Sequence, residues 1–283
     1  MTGPGVRAPI GAAIEWLRPR TPAWLRAGVR RILPDAWRSR VDPVCNPEHI
    51  WRLPPPLQGS VFRIRGPVEL QYVLPEPGYE PRVSAAIRRY VETGMNCIDV
   101  GANIGYMTLL MARCSGPDGR VFAFEALPRN AAALRENVEL NGLRDRVLIE
   151  SLAVGAPGQR TVTLYEGASD FEASVSRTTH ASTPLQVPCV DLDSYFAEGP
   201  AIGFLKMDIE GGEADAIQGM TGLLRRVPRP VCLIELHGAA GRSVIDVLRR
   251  SGYRVCDLAP ETVAESLSPG NRHVLALPDL NDS

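Results

Sequence analysis

The chain has 283 residues, 45% of them hydrophobic and 22% charged, with a net charge of −1 at neutral pH. That balance excludes a disordered chain, and no apolar run approaches the roughly 18 residues that a bilayer span needs. Near-zero net charge gives no global pull toward nucleic acid, and the N-terminus lacks the continuous apolar core of a secretory signal.

Residues 1–57 differ from the rest. The first 40 hold eight arginines against only Glu15 and Asp35, and Trp16, Trp24, Trp37 and Trp51 are all the tryptophans in the chain. Thr21-Pro22 reads as a helix cap with proline at the first position. Trp24, Leu25, Val29, Ile32 and Leu33 then form one apolar face beside Arg26, Arg30 and Arg31. Such a helix either lies on an anionic membrane surface or packs on the main domain or another subunit. Pro43 and Pro54-Pro55-Pro56 mark a linker, which divides the chain into a basic helical segment, 1–57, and a domain, 58–283. The six cysteines are scattered with no C-x-x-C pair, so a reduced, cytoplasmic protein without structural zinc is expected.

Val61 to Val73 reads as a small strand pair turning at Gly66-Pro67. Tyr79-Glu80-Pro81 opens a helix that runs to Val91, and Glu80 at its start counts among the cofactor-binding candidates. Cys97, Ile98 and Val100 make a short apolar run, the pattern of a buried parallel strand. Gly101 and Gly105 follow, where backbone can turn sharply or approach a ligand, and Tyr106 resumes as helix with Met107, Leu110 and Met111 on one face. Strand, glycine turn and helix form a nucleotide-type cradle at a helix N-terminus. The spacing is G-x-N-x-G, not the G-x-G-x-x-G of nicotinamide enzymes, and Asp99 sits inside the strand end, which points to S-adenosylmethionine. A second apolar strand, Val121 to Glu125, ends in a carboxylate 26 residues after Asp99. Glu125 is placed there to accept the hydroxyls of a ribose. The plainer alternative is that it only caps the helix beginning near Pro128.

That helix runs to Leu140 and closes at Asn141-Gly142, before a third strand at Val147 to Leu152 and an extra one at Thr161 to Tyr165. Residues 166–186 are polar and read as irregular, either a lid beside the cradle or a surface excursion. Ile202 to Met207 is a fourth strand ending in Asp208, followed by Glu210-Gly211-Gly212-Glu213 and a helix to Arg226. Val231 to Leu236 is a fifth strand, running into Glu235-Leu236-His237. A helix from Ser243 and strands at Tyr253 to Asp257 and His273 to Leu277 complete the order. Alternating strands and helices predict an α/β, doubly wound, mainly parallel sheet. Ligands bind such sheets beyond the strands' carboxyl ends, where Asp99, Glu125, Asp208 and Glu235 all fall.

Lys206 is the sole lysine beside thirty arginines, so position 206 calls for a narrow ammonium rather than a wide guanidinium. In an extended strand Lys206 and Asp208 point to the same side. They either hold an acceptor hydroxyl or form a structural ion pair. Methyl transfer from a sulfonium requires alignment and removal of a proton, for which Asp208, Glu210 and His237 are the candidates. A magnesium ion held by Asp208 and Glu235 would be another way to activate the hydroxyl. Glu213 more naturally stabilises the start of its helix.

Asp99-Val-Gly-Ala-Asn-Ile-Gly105, Phe124-Glu125, Leu205-Lys-Met-Asp-Ile-Glu-Gly211 with Glu213, and Glu235 together resemble the FkbM-type methyltransferases over roughly residues 60–280. The resemblance implies a class I Rossmann-like fold with a seven-stranded sheet and helices on both faces. It also implies S-adenosylmethionine as cofactor and O-methylation of sugars, polyketides or other secondary metabolites. By that likeness Asp99, Gly101, Ala102, Asn103 and Gly105 contact the methionine part, Glu125 the ribose, and Ser151, Leu152 and Ala153 the adenine. Ala126 stands beside Glu125 where the family often has proline, which alters the turn but not the carboxylate. The acceptor does not carry over. A nicotinamide dehydrogenase, an RNA 2′-O-methyltransferase and a catalytically silent cofactor-binding scaffold are the rival readings. A single lysine and near-zero charge argue against the RNA enzyme.

Overall fold

A computed structural model describes residues 50–52, 63–65, 80–166, 173–174, 184–238, 241–258 and 272–279. The expected basic helix, Cys45, the Gly66-Pro67 turn and much of the expected lid lie outside these residues. Among the described residues no helix is long and apolar enough to cross a membrane.

Two short strands come first, Ile50–Arg52 (β1) and Arg63–Arg65 (β2), paired antiparallel. Among the described residues the partner of β2 is β1, a strand before it in sequence. Helix Pro81–Tyr90 (α1) leads into Cys97–Val100 (β3), Tyr106–Cys114 (α2), Val121–Phe124 (β4), Pro128–Leu140 (α3) and Val147–Glu150 (β5). After a region treated below come Leu192–Tyr195, Phe204–Met207, Glu213–Gln218, Val231–Leu236, Gly241–Arg250, Tyr253–Asp257 and Arg272–Pro278.

Between β5 and Leu192, Ala153–Val154 (β6), Thr161–Glu166 (β7), Ala173–Ser174 (β8) and Pro184–Val190 (β9) build a second, four-stranded sheet in the order β6-β9-β7-β8. The sequence offered only β7 of these. Pro184 and Pro188 disguise β9, since proline cannot donate to a ladder, yet both residues pair with β7. The remaining elements are then α4 (Leu192–Tyr195), β10 (Phe204–Met207), α5 (Glu213–Gln218), β11 (Val231–Leu236), α6 (Gly241–Arg250), β12 (Tyr253–Asp257) and β13 (Arg272–Pro278). Helix α5 ends at Gln218 instead of reaching Arg226. Gly219 follows as its C-cap, where a side chain would strike the Gly155 carbonyl, and a separate 3-10 turn comes at Leu223–Arg225.

The main sheet has seven strands in the order β12-β13-β11-β10-β3-β4-β5, and only β13 runs against the rest. All four residues of β3, β4 and β10 are buried, which is why these strands are apolar apart from Asp99 and Lys206. Alternation sends Cys97, Val121, Ala123 and Phe204 to the face covered by α1, α2 and α3. It sends Ile98, Val100, Phe124, Leu205 and Met207 to the face covered by α4, α5 and α6. This is the doubly wound α/β, Rossmann-like architecture expected, with helices on both faces. Winding runs from β3 outward through β4 to β5 on one side and through β10 to β11 on the other. The crevice at the reversal lies between β3 and β10.

Backbone at that crevice has no room to spare. Gly101 adopts φ +76°, and a Cβ there would fall on the Asp208 carbonyl oxygen. Gly101→Ala should lose about 1–3 kcal/mol from the left-handed backbone alone, and more from the collision, in urea unfolding. Gly142→Ala is the control, because Gly142 shares a positive φ (+65°) but meets nothing within 4 Å. Equal losses in the two variants would contradict the close approach.

Candidate functional site

The β3–β10 register sets Lys206 directly beside Asp99. Lys206 Nζ lies 3.8 Å from Asp99 Oδ1 and 3.5 Å from Asp208 Oδ2, and it donates to the Gly101 carbonyl at 3.3 Å. Burial works against the ammonium charge. The carboxylates of Asp208, Asp99, Glu80 and Glu235 more than offset it, so the Lys206 pKa stands above the ordinary lysine value. Asp99 is wholly buried and accepts from Thr108 Oγ1 of α2 at 2.5 Å. Asp99 thus binds the chain together behind the turn and does not reach the cavity wall.

The turn itself is held by Glu125. Its Oε2 accepts the Asn103 N–H at 2.7 Å and its Oε1 the Leu127 N–H at 2.8 Å. The helix-capping alternative is therefore part of what Glu125 does, since Leu127 is the N-cap of α3. Each carboxylate oxygen keeps a second lone pair for a ligand. Burial lifts the Glu125 pKa to about 6, against the two N–H bonds that favour the ionised form. Asn103 sits at φ +51°, and its Oδ1 is enclosed without a hydrogen-bond partner. A buried acceptor left open calls for a donor on a ligand.

A cavity of about 410 Å³ opens above these residues, within the range for small-molecule sites. Of the expected cofactor residues, Glu80, Gly101, Ala102, Asn103, Glu125 and Ala126 line it, with Leu152 and Ala153. Gly105 does not, although a side chain there would press on Leu134. Ser151 does not line it either: its hydroxyl accepts from Arg135 of α3 at 2.7 Å, which ties it to the helix. Lys206, Asp208 and Glu210 line it as well. Sequence reasoning missed the wall contributed by the second sheet, where Val162 and Leu164 of β7 join Leu127 and Ala153 in an apolar patch. Alternating Val162 and Leu164 gave a strand, but nothing in the sequence said which element it would cover.

His237 is not among the residues that line the cavity. Its Nδ1 lies 2.7 Å from Glu213 Oε1, and its Nε2 lies 3.3 Å from Glu210 and 3.5 Å from Glu235. Burial opposes a charge on the ring, but the Glu213 bond and the Glu210 and Glu235 charges prevail and raise its pKa to about 9. An imidazole already protonated at neutral pH is a poor proton acceptor, which leaves Asp208 and Glu210 as the groups at the cavity able to act as base. Glu213 does stabilise its helix start, accepting the Gly211 N–H at 2.9 Å, and it also anchors His237. Among the described residues Asp208 and Glu235, expected to hold magnesium, come together with His237.

Protein-L-isoaspartate O-methyltransferase of Aeropyrum pernix is 33% identical over 99 residues, covering 35% of this chain and 37% of that protein. Methyltransferase 1 of Beauveria bassiana is 25% identical over 143 residues, 44% of this chain and 57% of that one. The chain thus spans well under two thirds of these relatives' length. Among solved structures, methyltransferase FkbM from Methylobacillus flagellatus aligns over 65% of this chain and 44% of that one, at 17% identity and a TM-score of 0.44. The family model for the methyltransferase FkbM domain matches residues 99–255. That span is more than half of the chain and holds the glycine turn, Glu125, Lys206, Asp208 and His237, and the chain belongs to the FkbM methyltransferase domain family.

Proposed function

We propose that this protein transfers a methyl group from S-adenosylmethionine to a hydroxyl of a small-molecule acceptor, of the sugar, polyketide or other secondary-metabolite class. The observation that carries the reading is one cavity lined by both the Asn103–Glu125 turn and the Lys206–Asp208 pair. The residues suit the cofactor: Glu125 faces a ribose, the patch of Leu127, Ala153 and Leu164 takes an apolar base, and Asn103 Oδ1 awaits a donor. S-adenosylmethionine supplies an activated methyl group, so the chain's own task is alignment and removal of the hydroxyl proton. Asp208 is placed for that task, held by Lys206 so that its carboxylate faces the cavity, and it acts directly or through a cation held with it. Glu210 on the same wall is the second acceptor for the proton.

Calorimetric titration should show Glu125→Ala weakening cofactor binding by about 1.5–3 kcal/mol, the scale of hydrogen bonds to a charged group. Wild-type affinity should hold above neutrality and fall as pH drops through about 6, where Glu125 gains its proton and loses acceptor capacity. Glu125→Gln should abolish that part of the pH dependence. An unchanged profile in the folded variant would remove Glu125 from the site.

Asp208→Asn should leave cofactor affinity near normal and lower turnover by about 10²–10⁴-fold, the range of general acid–base help. Lys206→Arg should also impair turnover, because a guanidinium cannot take the place of the ammonium between Asp99 and Asp208. Wild-type turnover by a folded Asp208→Asn protein would overturn the assignment.

A further inference from the structure

Glu235, near the end of β11, has its two oxygens facing two imidazoles. Its Oε1 lies 3.5 Å from His237 Nε2, and its Oε2 lies 3.3 Å from His273 Nε2. One ligand atom each from Asp208, Glu235 and His237 falls within 4.8 Å of the other two. His237 distinguishes this cluster from a plain group of acids. Its side chain is nine-tenths buried, and Nε2 is sealed from solvent without a hydrogen bond, although Glu210 and Glu235 stand 3.3 and 3.5 Å away. Across the ring, Nδ1 is fixed by Glu213, itself 1% exposed. An imidazole oriented at one nitrogen by a buried carboxylate, with the other nitrogen turned to further carboxylates, is the usual arrangement of a metal-ligating histidine.

We infer that Asp208, Glu235 and His237 form a binding site for one first-row divalent cation, with manganese, iron, cobalt or zinc favoured over magnesium. Bonds of about 2.0–2.2 Å to nitrogen and oxygen place adjacent ligands about 3 Å apart. The 3.5 Å between His237 Nε2 and Glu235 Oε1 needs to close only slightly. Imidazole suits these ions, whereas magnesium prefers oxygen ligands and retained waters. Charge does not oppose the cation, since the Glu80, Asp208, Glu210 and Glu235 carboxylates stand around Lys206 and two imidazoles, one of which gives up its proton to the ion. Lys206 approaches Oδ2 of Asp208, which leaves Oδ1 for the metal. Ligation takes the place of the Nε2 proton, so a proton leaves as the cation enters. A second cluster, Glu80, Glu235 and His273, shares Glu235, and His273 Nε2 is likewise sealed without a hydrogen bond, but that side chain is 24% exposed against 10% for His237.

The consequence for catalysis rests on the methyltransferase reading. A cation on Asp208 borders the cavity and lowers the pKa of an acceptor hydroxyl bound to it. The O–H bond breaks and the proton passes to Glu210 or solvent. The oxygen pair then forms the bond to the methyl carbon, and the C–S pair returns to sulfur.

The test uses the full chain, stripped by chelation and titrated with manganese(II) in the absence of cofactor and acceptor. Electron paramagnetic resonance should report one tightly bound ion per chain, and its pulsed form should show coupling to an imidazole nitrogen. Millimolar magnesium should not displace the ion. Glu213→Gln should weaken binding by about 10–100-fold, and Glu235→Gln by at least as much. Should these variants not fold, the nitrogen coupling in the wild-type chain decides alone. Absence of binding at millimolar manganese, or coordination by oxygen only, overturns the site. Cofactor titration of the same stripped sample separates the two readings. Cofactor binding without metal binding removes only the cation site, whereas metal binding without cofactor binding leaves the site and removes the methyltransferase reading.

Discussion

A single ammonium group, Lys206 Nζ, is the point on which the site depends. It lies between a fully buried carboxylate, Asp99, and a carboxylate at the cavity wall, Asp208, and it also holds the Gly101 carbonyl. Three parts of the site are thereby tied at the place where the winding of the sheet reverses: the end of β3, the glycine turn and the end of β10. A buried pair of this kind adds little net stability over an apolar one, but removing one partner leaves an uncompensated charge in the core. Its value here is positional. Asp208 has a fixed distance from the turn, and the turn has a fixed path past Asp208. Arginine, abundant elsewhere in the chain, is too wide for a strand position whose side chain is 7% exposed.

Glu125 performs the matching task further along the glycine turn, at Asn103. Its two N–H bonds join the Asn103 turn to the start of α3, so the same carboxylate that faces a ligand also braces the walls around it. Ionised, it is costly to bury, which is why its pKa moves upward. Cofactor affinity and the shape of the turn are therefore linked through one group. An apolar wall comes from the second sheet, whose β7 contributes Val162 and Leu164.

Much of this was legible in the sequence. The strand, turn and helix at residues 97–114, the carboxylate at 125, and the shared side of Lys206 and Asp208 follow from strand alternation and from where glycine is needed. What escaped was anything set by neighbours distant in sequence. Asp99 looked like a ligand contact because it lies within the cradle motif, but alternation turns it toward α2 and Thr108. His237 looked like a base until three carboxylates around it made it a cation. Ser151 is drawn off by Arg135, a residue 16 positions earlier that no local pattern connects to it. The β9 strand was hidden by two prolines tolerated because its partner supplies the pairing on the other residues.

The measurement that bears most directly on this account is a double-mutant cycle between Lys206 and Asp99, read by urea unfolding. Lys206→Met alone should cost about 3–5 kcal/mol, the scale for breaking a buried ion pair. Adding Asp99→Asn should recover about 1–3 kcal/mol of that loss, the coupling expected of residues in contact. Strictly additive losses would contradict the claim that one ammonium holds the turn and the two carboxylates together.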